Sequence, residues 1–276
     1  MPGPGLDRGR ELRLRTLSGA LLAALALLAT WWGGMPFALL WLAGGVAVAA
    51  EWYAMARVEP RRLLLGLAST GLAVMAGCDL AGAGPWPILA IGAATCVLVA
   101  LLGRARRDRV WGLGGFAYAA ALALVPPAVR DRPELGAAAI LWMFAVVWTT
   151  DIAAFFAGRR LGGPKLWPAV SPGKTWSGGL GGLLAATAVA TGLAAYLAGP
   201  AGPPGGWFGV ALASAVASVA SQAGDLAESA MKRRFAVKDS GGLIPGHGGV
   251  MDRLDGFAAV AILCGIALVG ARGVGL

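Results

Sequence analysis

The chain has 276 residues, of which 58% are hydrophobic and only 13% charged, and its mean hydropathy is +0.71. A soluble domain carries about 25% charged residues, so an aqueous fold is excluded and the class is a polytopic membrane protein. The net charge of +9 comes from 23 basic and 14 acidic residues, while three scattered cysteines, Cys78, Cys96 and Cys264, make neither a disulfide framework nor a CxxC metal site.

In chain order, Arg8, Arg10, Arg13 and Arg15 come first, before an apolar run from Leu17 to Trp32. That run lacks a convincing small-x-small cleavage site and further spans follow at once, so a retained first helix is expected rather than a signal peptide. A spanning helix needs about 20 mostly apolar residues. By that measure nine spans are predicted, at 17–34, 36–56, 63–79, 86–102, 111–128, 135–157, 178–198, 207–225 and 256–272. The fifth has the poorest pattern: it contains Gly112, Gly114 and Gly115 and ends at Pro126-Pro127. The fold class is therefore all-α, a single membrane domain over 1–276.

The loops test the count. With a cytoplasmic N-terminus, all of the 23 basic residues except Arg130, Arg132 and Arg272 fall on the cytoplasmic side. The positive-inside rule predicts that asymmetry, and an error of one span would scramble it. No internal repeat stands out, which weighs against inverted-repeat transporter folds. Gly178, Gly179, Gly181 and Gly182 open the seventh span with a small-xxx-small pattern, read as close helix packing, with a homodimer left open.

Between the eighth and ninth spans lies the densest polar run, 221–255. It holds five acids, Asp225, Glu228, Asp239, Asp252 and Asp255, together with Lys232, Arg233, Arg234, Lys238 and Arg253 and the only histidine, His247. Asp225, Glu228, Ser229 and Lys232 are spaced i, i+3, i+4, i+7 and share one face if the eighth helix continues past the membrane surface. An ordinary solvated helix end would explain any one of them, with Glu228–Lys232 as an i,i+4 pair. Pro245-Gly246-His247-Gly248-Gly249 leaves backbone able to approach a ligand closely. Asp252 and Asp255 open the ninth helix, where acids are also good capping chemistry; capping does not account for Arg253 between them. Carboxylates, cations and a glycine-rich loop together suit Mg²⁺ bridging to substrate phosphates, with Lys and Arg on the remaining oxygens. A lone histidine cannot build a zinc site, so His247 reads as a phosphate contact or a proton-handling group.

A second cluster joins the sixth and seventh spans. Asp151 lies within an apolar segment and is a functional candidate facing the bundle interior or a cavity; the plain alternative is a buried acid paired with Arg159. Gly173-Lys174-Thr175 suggests a nucleotide loop, but the pattern needs Gly at position 168, which is Pro168, and no strand is expected before it. Lys174 stays a candidate phosphate contact.

Ser229-x-x-Lys232-Arg233, Lys238-Asp239 and His247-Gly248-Gly249-x-x-Asp252-Arg253-x-Asp255 resemble the signature of the phosphatidate cytidylyltransferases, or CDP-diacylglycerol synthases. Asp151, Gly158-Arg159 and Ser171-Pro172-x-Lys174-Thr175 resemble that family's second common block. The family often has Glu two residues after the Thr of this block; here the residue is Ser177. The resemblance implies that CTP and phosphatidic acid give CDP-diacylglycerol and pyrophosphate. It implies Mg²⁺ held by Asp225 and Asp252, with room for a monovalent cation nearby. The catalytic region is then 225–255 and the supporting region 151–177. Catalytic candidates are Asp225, Lys232, Asp252, Arg253 and Asp255. Phosphate-binding candidates are Ser229, Arg233, Lys238, His247, Gly248, Gly249, Lys174 and Arg159, supported by Asp151, Glu228 and Asp239. The expected partners are CTP, phosphatidic acid and the bilayer, with no nucleic acid, and the expected location is the inner membrane with the site facing the cytoplasm.

Two other readings remain open at this point. A CTP-dependent lipid-alcohol kinase would need a base beside a hydroxyl acceptor. A transporter would use Asp151, Glu51 and Asp225 as an ion path, but all three lie near the cytoplasmic ends of their spans rather than across the membrane.

Overall fold

The computed structural model describes residues 8–133, 136–203, 205–244 and 246–273. The side chains of Arg8, Arg10, Arg15 and Arg272, used above for sidedness, lie outside the described set, as do Leu135 and Pro245. Nine long α-helices stand among the described residues: α1 (Arg8–Trp32), α2 (Gly34–Met55), α3 (Arg61–Leu80), α4 (Pro85–Leu102), α5 (Arg106–Arg130), α6 (Gly136–Leu161), α7 (Trp176–Ala198), α8 (Gly206–Arg234) and α9 (Met251–Gly273). Eight are long and apolar enough to cross a membrane, and the apolar part of α1, Thr16–Trp32, is slightly shorter. Many large side chains that point outward are apolar, including Leu21, Trp86, Leu101, Leu184, Phe208 and Val269. That pattern suits helices solvated by lipid, where every backbone polar group must be satisfied within the helix.

The chain forms two compact units, Met1–Ala119 with Val237–Arg253, and Ala120–Ala236 with Leu254–Leu276. The polar run is thereby divided: its middle folds with the first unit, and its two ends fold with the second.

In the first unit the core is built from Phe37, Trp41, Val48, Tyr53, Leu64, Leu72 and Val99. The glycines that weakened the fifth span serve this core. A Cβ at Gly115 would lie 2.7 Å from the Tyr53 ring and 2.6 Å from Trp52, so only glycine admits these aromatics against α5. The Tyr53 hydroxyl donates to the Gly112 carbonyl (2.8 Å) and the Trp52 indole N–H to the Trp111 carbonyl (2.9 Å). Polar tips on buried aromatics thus find backbone partners. Helix α5 runs on through Pro126 and Pro127 to Arg130. Each proline removes one backbone donor from the last turns of α5.

In the second unit α6 and α7 pack closely. A Cβ at Gly178 would lie 2.8 Å from the Ala154 carbonyl, and one at Gly182 2.8 Å from the Thr150 carbonyl. The small-xxx-small stripe is therefore used within the chain, as van der Waals contact between lipid-embedded helices requires. The expectation that no strand precedes Gly173-Lys174-Thr175 is overturned. A two-stranded antiparallel hairpin, β1 (Lys165–Trp167) and β2 (Ser171–Thr175), connects α6 to α7, and those residues lie on β2 itself. The strands are short and contain Pro172 and Gly173, so they lack the alternating run that marks a strand in sequence. The nucleotide-loop pattern still fails at Pro168.

Candidate active site

Helix α8 continues to Arg234, well beyond the apolar segment, so the i, i+3, i+4, i+7 face exists. On it the Ser229 hydroxyl donates to Asp225 Oδ1 at 3.4 Å, a long contact, and Lys232 Nζ meets Glu228 Oε2 at 3.2 Å. Glu228 is 4% exposed, so the pair is more than the solvated helix end of the plain reading; a buried carboxylate requires such a partner.

Small residues let α9 approach this face. A Cβ at Gly224 would lie 2.7 Å from the Asp255 carbonyl and 2.7 Å from Ala259 Cβ, and one at Gly256 would meet the Ser221 hydroxyl at 2.5 Å. The crossing sets the carboxyl of Asp255 beside Asp225 and within hydrogen bonding of Glu228. The Gly256 N–H also donates to Asp255 Oδ1 (2.8 Å). Ionised carboxylates this close repel one another, and a shared proton or a neighbouring cation relieves that repulsion.

That cation comes from the hairpin: Lys174 Nζ forms an ion pair with Asp225 Oδ2. The hairpin is held in place by its own capping chemistry. Thr175 Oγ1 caps α7 by accepting from the Gly178 N–H (3.1 Å) and contacts Ser177 Oγ (3.0 Å). Ser177, where the family often has Glu, donates to the Gly162 carbonyl. Arg233 Nε donates to the Val170 carbonyl at 3.3 Å, tying the hairpin to α8, so part of this predicted phosphate clamp is occupied in positioning.

A cavity of about 550 Å³ opens over this arrangement. Asp151, Phe155, Arg159, Lys165, Lys174, Gln222 and Asp225 are among its lining residues. The second sequence cluster and the α8 acid thus meet in one cavity. Asp151 is exposed and lines this cavity, so it is not the buried acid of the plain alternative. The Arg159 guanidinium lies 5.9 Å from the centre of the Phe155 ring. Gln222, which sequence reasoning passed over, donates to the Gly179 carbonyl (3.2 Å) and lines the same wall.

The first unit holds the rest of the polar run. Asp252 Oδ2 accepts from the Ser240 N–H (3.0 Å), the Ser240 hydroxyl (3.0 Å) and the Gly249 N–H (2.8 Å). His247 Nδ1 lies 2.7 Å from Ser18 Oγ on α1, and Arg253 Nε donates to the His247 carbonyl (3.2 Å). Lys238 and Asp239 are exposed. Gly248 has φ +81°, a conformation that favours glycine. Gly249, expected to leave open backbone for a ligand, is instead buried against carboxylates: a Cβ there would lie 2.5 Å from Glu51 Oε2. Glu51 entered the sequence reading only as a step in an ion path. Its signal was an acid inside an apolar span, which marks function by default.

Many apolar helices long enough to cross a membrane, with carboxylates and cations lining one cavity, define a polytopic membrane protein with a site suited to phosphate groups. The chain matches the cytidylyltransferase family over residues 13–269, and it belongs to that family. It is 41% identical over 253 residues, 92% of each chain, to a phosphatidate cytidylyltransferase of Brucella suis, and equally to one of Brucella abortus. A Bacillus subtilis phosphatidate cytidylyltransferase is 42% identical over 134 residues, 48% of each chain.

Proposed function

We propose that the protein is a CTP:phosphatidate cytidylyltransferase that makes CDP-diacylglycerol for phospholipid biosynthesis. The observation that carries this reading is the cavity in which Lys174 pairs with Asp225 among Asp151, Arg159 and Lys165, in a chain so close to phosphatidate cytidylyltransferases over 92% of its length. A phosphate oxygen of phosphatidic acid attacks the α-phosphorus of CTP. One P–O bond forms, the bond to the β-phosphate breaks, and pyrophosphate leaves with that electron pair. The nucleophile is already ionised, so no strong base is needed; what must be overcome is repulsion between two anions.

The side chains suit that task. Lys174, Lys165 and Arg159 offer cations to phosphate oxygens along the cavity, and exchange of Lys174 from Asp225 to phosphate would free an oxygen of that acid. The carboxylates of Asp225 and Asp255 are hard-oxygen donors set side by side, a donor set that fits Mg²⁺. Of the two acids the resemblance names for the metal, Asp225 lies in this site and Asp252 folds with the first unit; a Mg²⁺ bound at Asp225 would neutralise phosphate charge at the α-phosphorus. The lipid tails stay in the bilayer while the headgroup meets water-soluble CTP, which requires the site to face the cytoplasm.

Labelled CTP tests the reading. Label at the α-phosphate is expected to enter the lipid in membranes carrying the protein, and to stop when EDTA removes divalent cations and resume with Mg²⁺. Transfer of γ-phosphate alone would replace this reading with a lipid kinase.

A further inference from the structure

Glu51 sits near the C-terminal end of α2, where a negative charge opposes the helix dipole. It is 5% exposed, and burying a carboxylate is costly unless hydrogen bonds compensate it. Local helix chemistry therefore gives no reason for an acid here. The reason lies 189 to 200 residues further along the chain.

Glu51 Oε1 accepts from the Val250 N–H at 2.9 Å, and Oε2 accepts from the Met251 N–H at 2.9 Å and the Ser240 hydroxyl at 3.1 Å. Val250 and Met251 stand at the start of α9, whose first N–H groups have no partner within the helix. Such groups are usually capped by a neighbouring side chain in sequence; here the cap comes from another helix. The Ser240 hydroxyl lies 3.0 Å from Asp252 Oδ2 as well, so its one proton is shared between two carboxylates. The glycines follow from the same arrangement. A Cβ at Gly241 would lie 2.5 Å from Glu51 Oε1, and one at Gly249 2.5 Å from Oε2. The loop is thus shaped around the Glu51 carboxylate on both sides.

We propose that Glu51 is a positioning residue for the transfer reaction: it fixes the start of α9 and the 240–251 loop, and through Ser240 sets the orientation of the Asp252 carboxylate. The proposal rests on the cytidylyltransferase reading for its kinetic consequence, and on the loop geometry alone for its structural one. Glu51→Gln keeps the size but turns one acceptor into a donor facing an N–H or hydroxyl. The expected loss is about 100-fold in kcat, the scale of a misplacement of about 1 Å in a reacting group, with KM for CTP and for phosphatidic acid changed little. Ser240→Ala, which removes one hydroxyl, is expected to lower kcat less, and the double variant to fall short of the product of the two losses, as coupled neighbours do. Hydrogen exchange of the full protein in detergent provides the second measurement. The Val250 and Met251 amides are expected to lose protection in Glu51→Gln while the α2 amides keep theirs. Wild-type kcat in folded Glu51→Gln, or multiplicative losses in the double variant, overturns the proposal. If Glu51→Gln does not fold, wild-type kcat in Ser240→Ala overturns it and a lowered kcat at unchanged KM supports it. If wild-type protein transfers no cytidylyl group, the enzymatic reading fails, and exchange protection alone then decides the loop-positioning role.

Discussion

Asp225 joins three parts of the site. It takes Lys174 on Oδ2 and Ser229 on Oδ1, and has Asp255 beside it. Asp225→Asn keeps the shape and removes the charge that holds Lys174 and would hold a cation. Turnover is expected to fall by at least about 100-fold, the loss that follows removal of one electrostatic stabiliser, while the variant keeps its wild-type melting temperature in detergent. A radiolabelled CTP assay beside a thermal melt reads both. Lys174→Ala leaves Arg159 and Lys165 on the cavity wall, so a smaller loss of about 10-fold is expected, as a rise in KM for CTP or lipid with kcat less affected. The residue types of this site were legible in the sequence: acids and bases in one run, Asp151 and Lys174 in another. The pairing of Lys174 with Asp225 was not, because a long stretch of chain separates a hairpin strand from a helix end and no local periodicity relates them.

At the scale of elements, the places of the long helices followed from hydropathy, since lipid demands about 20 apolar residues per span, while α8 runs on past its apolar part to Arg234. The hairpin did not, being too short and too rich in proline and glycine to show a period. The glycines of α7 separate packing from mere permissiveness. Gly182→Ala drives a Cβ against the Thr150 carbonyl at 2.8 Å; a destabilisation of about 1–3 kcal/mol is expected from such overpacking, with loss of activity following loss of the α6–α7 contact. A Cβ at Gly192, also in α7, would meet nothing within 4 Å. Gly192→Ala is expected to leave the protein as stable or raise stability by up to about 1 kcal/mol through helix propensity. Thermal unfolding of the two variants side by side checks the contrast.

For the whole molecule, the positive-inside rule predicts a polar run on the cytoplasmic side, and labelling tests it. Leu243 is exposed in that run, and Ala201 is exposed in the loop between α7 and α8. In a background with Cys78, Cys96 and Cys264 replaced by serine or alanine, Leu243→Cys is expected to react with a membrane-impermeant maleimide only in inside-out vesicles. Ala201→Cys is expected to react only from the opposite side. The reverse pattern would turn the protein over and leave its site away from CTP.

By itself the sequence determined the membrane class, the long apolar helices and the family, because hydropathy and a dense signature of charged residues are local properties of a chain. Only the tertiary structure decided which charges meet. Helices in lipid gain no hydrophobic energy from one another, so their crossings depend on small residues and on polar pairs distributed along distant segments. Gly224 against Asp255, Lys174 against Asp225, and Glu51 against the start of α9 are all of that kind. Each needs a partner that the local pattern around it does not announce.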